Sequence, residues 1–288
     1  MLLTPLDRTR LQEALALAEN AVGVSEPNPR VGCVIGGEGS GTGRSDSGPA
    51  KGLVLGRGAT QQAGQAHAEV MALRDAAAAG HSPRGATAWV TLEPCAHHGR
   101  TPPCCDALIE AGIARVVVAI GDPFAQVAGA GLARLRAAGI EVLLLDTADE
   151  IAVAARELNI GFFSRVLRGT PWLRLKIAAS LDGRTALNNG VSQWITGEAA
   201  RADGHSFRKR ASAVLSGIGT VREDNPRLDV RAVPTLLQPL RVVVDSRLET
   251  PADARLLDAP GRVLIFSAAD NTERRAARSE ERRVGKEC

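Results

Sequence analysis

Apolar positions recur at helical spacing from Leu6 to Val22 (Leu11, Leu15, Ala18, Val22), which predicts an amphipathic helix near the start of the chain. Asn28-Pro29 is a turn signal. Val31 to Ile35 reads as a short buried strand with Cys33 as a core residue. Gly36 to Gly52 is rich in Gly and Ser and carries no phosphate-binding glycine motif, so it reads as a long hairpin loop before the strand resumes at Leu53 to Leu55. A helix follows over His67 to Ala79, a strand over Gly85 to Leu92 and a short helix over Asp106 to Ala111. Then come a strand over Arg115 to Ile120, a helix over Gly129 to Ala138 and a strand over Ile140 to Leu145. Alternation of this kind predicts a layered α/β domain over residues 1–146. Thr147 to Arg168 reads as one connecting helix within a linker spanning 147–170. Strand-like runs at Trp172 to Ala179, Ala213 to Gly217, Leu240 to Asp245 and Arg262 to Ser267 predict a second α/β domain over 171–277. The remaining stretch, 278–288 (RSEERRVGKEC), is charge-dense and has no apolar periodicity. It reads as a translated sequencing adapter, a non-native tail to be set aside from fold reasoning.

Composition narrows the functional classes. Hydrophobic residues make up 44% and charged residues 23%, as in ordinary soluble globular proteins. A formal net charge of +3 is too small to argue for a nucleic-acid or anionic-membrane partner. No run approaches the roughly 20 apolar residues of a membrane helix, and the N-terminus lacks a basic, then apolar, leader, so a cytoplasmic location is expected. Self-association is left open. Lys51, Lys176, Lys209 and Lys286 are the only lysines in an Arg-rich chain, which makes Lys176, beside Asp182 at a predicted strand end, suggestive of a specific role. Three of the five cysteines cluster between residues 95 and 105, which fits a metal site or free thiols better than a disulfide framework.

The chemistry begins at His67-Ala68-Glu69 and continues at Thr91-Leu92-Glu93-Pro94-Cys95 and Cys104-Cys105. One His and two Cys supply three zinc ligands and leave a fourth position open, the pattern of a catalytic site. H-x-E followed by P-C-x-x-C is the signature of zinc deaminases, in which the Glu carries protons and is not a ligand; here eight residues instead of two separate the cysteines Cys95 and Cys104. His67, Cys95 and Cys104 are the expected ligands, with Cys105 competing for the third place; Glu69 is the expected acid/base. The intervening loop, which holds His97, His98 and Arg100, suggests an anionic or sugar-phosphate substrate.

The runs PNPRVGC (Pro27 to Cys33), HAEVMALR (His67 to Arg74), TLEPCAHHGRTPPCCDALIEAG (from Thr91) and DPFAQVAGAG (Asp122 to Gly131) together resemble one family. It is the bifunctional diaminohydroxyphosphoribosylaminopyrimidine deaminase / 5-amino-6-(5-phosphoribosylamino)uracil reductase family of riboflavin biosynthesis. LKIAASLDGRTA (Leu175 to Ala186), SQWIT (Ser192 to Thr196) and Ser216 to Arg231 extend the resemblance to roughly residues 8 to 270. It implies a cytidine-deaminase-like αβα layered N-terminal domain and a dihydrofolate-reductase-like α/β C-terminal domain, the latter truncated here. It implies zinc and NADPH as cofactors and a pyrimidine ribose-phosphate as substrate. By position it places NADPH near Ala178, Trp194, Thr220, Asp224 and Ser246, and the reductase substrate near Ser192, Arg208, Leu228 and Arg231. Asn28, His98, Lys176 and Asp182 are further candidates. Two departures stand out: the Gly36 to Gly52 loop is longer than the family's, and Ala96 stands where Ser is expected.

The expected reactions are hydrolytic deamination of 2,5-diamino-6-ribosylamino-4(3H)-pyrimidinone 5′-phosphate and NADPH-dependent reduction of the ribosyl group, the second expected to be weak in a shortened reductase half. Two alternatives are another zinc-dependent nucleoside or tRNA deaminase, and a deaminase whose C-terminal half is a docking surface.

Overall fold

Thr4 and Asp7 cap the first helix reciprocally: the Thr4 hydroxyl accepts from the Asp7 N–H and the Asp7 carboxylate from the Thr4 N–H. Helix α1 then runs Pro5–Glu19, with Leu11, Ala14 and Ala18 on its buried face. The computed structural model describes residues 3–37, 52–97, 102–124 and 128–268. The chain divides into two packed units, Met1–Leu173 and Arg174–Cys288.

In the first unit, α1 leads to strands β1 (Gly32–Gly36) and β2 (Val54–Ala59), helix α2 (Ala68–Ala78) and strand β3 (Thr87–Val90). Helix α3 (Cys104–Glu110), strand β4 (Arg115–Val118), helix α4 (Ala130–Ala137) and strand β5 (Glu141–Leu144) follow. The sheet order is β2-β1-β3-β4-β5, with β1 antiparallel to both neighbours and β3, β4 and β5 parallel. Every residue of β1, β3 and β4 is buried, as strands covered by helices on both faces must be. Helices α1 and α5 (Glu150–Leu158) touch each other, while α2, α3 and α4 touch in succession.

The predicted connecting helix is two helices, α5 and α6 (Ile160–Arg168). Asn159 separates them. Its amide donates to the carbonyls of Ala155 and Arg30 and its oxygen accepts the Arg30 N–H, so the side chain takes the Ala155 carbonyl that the Asn159 N–H would use in a continuous helix.

Asp7 also does work far from its helix. It is fully buried and accepts the Trp89 indole N–H at 2.7 Å and two Arg115 guanidinium N–H groups at 2.8 and 3.2 Å. Burial pushes its carboxyl up, but the bonds from Trp89, Thr4 and Arg115 outweigh that and hold it below the ordinary value. The cluster joins α1, β3 and β4 at one end of the sheet.

The second unit contains α7 (Glu198–Arg210), β6 (Ala213–Gly217), α8 (Ile218–Asp224), β7 (Leu240–Val244), α9 (Arg255–Asp258) and β8 (Val263–Phe266). Its three strands are parallel in the order β6-β7-β8. Trp172 to Ala179 is not the strand that its alternating Leu173, Leu175 and Ile177 predict: among the described residues no strand pairs with it, and Leu175 is 84% exposed. Alternation supplies strand propensity, but a strand also needs a neighbouring edge for its backbone groups. His98, most of the Gly36 to Gly52 loop and the 278–288 tail lie outside the described residues.

Candidate metal centre and active site

Strand β3 ends at Val90, and the next five residues carry the chain to Cys95 beyond the carboxyl end of the parallel strands. Two helices begin at the same place. His67 is the N-cap residue of α2 and makes no side-chain capping bond, so its ring is available to the cysteines. Cys104 is the first residue of α3, with Pro103 before it at the cap.

These three residues converge. His67 Nδ1 lies 3.2 Å from Cys104 Sγ and 3.7 Å from Cys95 Sγ, and the three ligand atoms all lie within 4.8 Å of one another. A tetrahedral ion with bonds of about 2.0–2.3 Å separates its ligands by about 3.6 Å. The geometry and the donor set, one imidazole and two thiols, therefore fit zinc. The Cys104 N–H donates to Cys95 Sγ at 3.3 Å. Hydrogen bonds from the Cys104 thiol, opposed by burial and aided by His67, bring the Cys95 thiol down to about 4; the same bond holds the proton on Cys104 and raises it. The Cys95 sulfur likewise keeps His67 protonated above its ordinary range. Metal binding at such a site releases protons.

Cys105, the competing candidate from sequence, is directed elsewhere: its thiol donates to the Pro94 and Gly131 carbonyls, and burial pushes it up to about 12. Cys33 is fully buried, and burial raises its thiol well above the ordinary value.

Glu69 stands in the first turn of α2, two residues from His67, and is 3% exposed. Burial first, then the negative Cys95 sulfur, raise its carboxyl to about 7. A carboxyl so poised can both take and give a proton near neutrality. A cavity of about 840 Å³ opens beside His67 and Cys104 and is lined by Gln61, Gln65, Arg74, Pro102 and Asp106 among others. Asn28 lies in the turn after the Glu26-Pro27 bond, where its N–H donates to the Ser25 carbonyl.

In the second unit, Arg208, Leu228 and Arg231 come together around Asp229. Arg208 donates to the Asp229 carbonyl and Arg231 to its carboxylate, and the Arg231 N–H donates to His205 Nδ1. Leu228 is buried with a left-handed backbone, φ 55°. Ser192 Oγ reaches Asp224 at 3.4 Å, which links one substrate candidate to one cofactor candidate. Thr220 and Asp224 share α8, and Ser246 follows the carboxyl end of β7. Trp194 lies under the Arg201 guanidinium, 4.4 Å from its ring centroid. Lys176 and Asp182 are exposed in the segment without regular structure, and Ala178 is half-buried there.

Glu93, Asp122 and the Asp7–Trp89–Arg115 cluster are functional features that no sequence motif singles out. For Asp7 a signal existed, the Thr4-x-x-Asp7 capping pattern. The pairing with Arg115 across 108 positions had none.

One imidazole and two thiols, two of the three at helix starts, with a buried carboxyl beside them, are the donor set found in zinc-dependent deaminases. The cytidine and deoxycytidylate deaminase zinc-binding region matches residues 5–120, and the RibD C-terminal domain matches residues 171–283. The chain belongs to the RibD family of riboflavin biosynthesis proteins, whose members join a zinc-binding deaminase domain to an NADPH-dependent reductase domain. It is 44% identical over 270 residues to riboflavin biosynthesis protein RibD of Escherichia coli, covering 88% of this chain and 67% of that one. Among solved structures it is similar to RibD of Acinetobacter baumannii, with TM-score 0.78 and 41% identity, covering 95% of this chain and 72% of that one. It is also similar to a diaminohydroxyphosphoribosylaminopyrimidine deaminase/5-amino-6-(5-phosphoribosylamino)uracil reductase of Thermotoga maritima. There the TM-score is 0.80 and identity 36%, covering 92% of this chain and 70% of the other. Among the described residues, no helix is long and apolar enough to cross a membrane.

Proposed function

We propose that Met1–Leu173 deaminates 2,5-diamino-6-ribosylamino-4(3H)-pyrimidinone 5′-phosphate, with His67, Cys95 and Cys104 holding zinc and Glu69 moving protons. The convergence of the three ligand atoms beside a buried Glu69 carries the reading. Held by these three residues, zinc would supply Lewis acidity toward a water molecule. Water adds at the ring carbon bearing the amino group, the carbon–nitrogen bond breaks, and ammonia leaves. The Glu69 carboxylate takes a proton from the attacking water and returns it to the departing amine, so the carboxylate is regenerated in each turnover.

The second unit supports the NADPH-dependent reduction of 5-amino-6-(5-phosphoribosylamino)uracil. Arg208 and Arg231 offer guanidinium donors suited to a substrate phosphate. Ala178, Trp194, Thr220, Asp224 and Ser246 are assigned to the cofactor, and Ser192 and Leu228 to the substrate. Asn28, His98, Lys176 and Asp182 are assigned supporting contacts. The protein is assigned to the cytoplasm, with a small-molecule substrate and neither nucleic acid nor membrane as partner.

The test is ammonia release from the pyrimidine ribose-phosphate compared with cytidine and deoxycytidylate. Release from the pyrimidine ribose-phosphate alone is expected. Equal or faster release from cytidine or deoxycytidylate would reassign the domain to nucleoside or nucleotide deamination.

A further inference from the structure

Two residues before Cys95 stands a carboxylate that the deamination chemistry does not use. Glu93 is 4% exposed and accepts four backbone N–H groups. Oε2 takes those of Asp122 at 3.2 Å and Gly129 at 3.1 Å; Oε1 takes those of Gly131 at 3.0 Å and Leu132 at 3.3 Å. Three of the four belong to the start of α4. That helix has no side-chain cap of its own, because its N-cap residue is Gly129 in the left-handed region, φ 76°. Glu93 supplies the cap from a distant part of the chain, where the helix dipole also favours a carboxylate.

The cap and the metal loop are in direct contact. A Cβ on Gly131 would lie 2.0 Å from the Pro94 carbonyl oxygen and 3.2 Å from Glu93 Oε1, so only glycine lets α4 begin against this peptide. The Glu93 N–H donates to the Ile120 carbonyl at 2.9 Å. The Cys105 thiol bridges the Pro94 and Gly131 carbonyls, at 3.3 and 3.5 Å. Cys95 is then met from the other side by α3, whose Cys105 N–H donates to the Cys95 carbonyl and whose Cys104 N–H donates to its sulfur. The peptide from Glu93 to Cys95 is thus fixed by α4, by α3 and by the segment Ile120–Asp122 that follows β4.

We infer that Glu93 is a positioning residue for the metal: by tying the start of α4 and the Asp122 turn to the Cys95 peptide, its carboxylate fixes where Cys95 Sγ stands relative to His67 and Cys104. The inference rests on the assignment of those three residues as zinc ligands. Groups that orient ligands without touching the metal commonly change metal affinity about 10- to 100-fold. A carboxamide cannot replace the carboxylate, because its NH2 would face one of the two pairs of N–H donors.

The test measures zinc affinity of the full chain by chelator competition and records the visible spectrum of the cobalt(II)-loaded protein. Glu93→Gln is expected to weaken zinc about 10- to 100-fold and to alter the cobalt bands while the chain stays folded. Leu135→Ala serves as the comparison, since it loosens the buried face of α4 without touching the four N–H groups; wild-type affinity and spectrum are expected. Unchanged affinity and spectrum in Glu93→Gln would overturn the inference alone, as would an equal loss in Leu135→Ala. If Glu93→Gln does not fold, Glu93→Asp is read in the same way: its carboxylate is too short to reach both pairs, so weaker zinc and altered bands are expected, and wild-type values would overturn the inference. A wild-type chain that takes up no zinc would overturn the ligand assignment and this inference with it.

Discussion

The two units use similar parallel strands to different effect. In Met1–Leu173, β1, β3 and β4 are buried at every position, and apolar side chains from α1, α2, α3 and α4 close over them. In Arg174–Cys288, β6 and β8 alternate between half-buried and exposed residues, and the core formed by Val221, Val243, Ala254 and Leu256 is small. Leu215, Val244, Leu264 and Phe266 project from this sheet as exposed apolar side chains. Parallel strands ordinarily have both faces covered. The difference bears on function. A metal centre needs ligands held within a few tenths of an ångström. The first unit gains that rigidity from packing on every side, whereas in the second the candidate cofactor residues Trp194 and Ser246 sit on exposed ground.

The largest effect that would break the comparison is expected at Asp7. Asp7→Ala leaves Arg115 and Trp89 without their buried acceptor, and breaking such a pair costs about 3–5 kcal/mol. Denaturant unfolding followed through the Trp89 signal should report that loss; a change near zero would show that the cluster does not hold the first unit. Its pH dependence has a definite sign. The Asp7 carboxyl is held below its ordinary value in the fold, so its contribution is fully present above the unfolded value of about 3.9 and fades as pH falls through the lower, folded value. The stability gap between wild type and Asp7→Asn should therefore be constant near neutrality and narrow in acid; a gap that widens below pH about 4 contradicts the assignment.

Next in size is Glu69→Gln, expected to reduce deamination by about 100-fold or more while zinc content is kept. Near-normal turnover would make Glu69 structural and send the search for a proton carrier elsewhere. NADPH oxidation with the deaminated substrate should be the slower activity of this chain, and a reductase rate equal to the deaminase rate would refute the contrast drawn between the units. The smallest effect is expected at Leu215, which is 64% exposed. Leu215→Ser should change stability by about 0.5 kcal/mol or less. A loss of several times that amount would mean that this face of the second sheet is covered in solution.

What the sequence made legible follows from the range of the forces involved. The alternation of strands and helices through Leu145 could be read because period and turn signals are local. The metal cluster could be read because its ligand types are rare in the chain and their neighbours, His-x-Glu and Pro-Cys, are specific. Local pattern misled at Trp172 to Ala179, where alternating apolar residues have strand character but pair with no strand among the described residues. It also missed the break at Asn159, which depends on a backbone partner at Arg30, 129 positions away. Glu93 stands within Thr91-Leu92-Glu93-Pro94-Cys95 and still carries no visible role in the sequence, since its four N–H donors lie 29 to 39 residues downstream. Where the two adjacent thiols point, Cys104 toward His67 and Cys105 toward the Pro94 carbonyl, is likewise visible only in space.

Removal and return of zinc tests the central claim most directly. The chain is stripped with a chelator, and ammonia release from 2,5-diamino-6-ribosylamino-4(3H)-pyrimidinone 5′-phosphate is measured before, after, and on titration with zinc. Release should vanish with the metal and return in full at about one zinc per chain, the load that the His67, Cys95 and Cys104 cluster can hold. Ammonia release that persists in the metal-free chain would contradict the account.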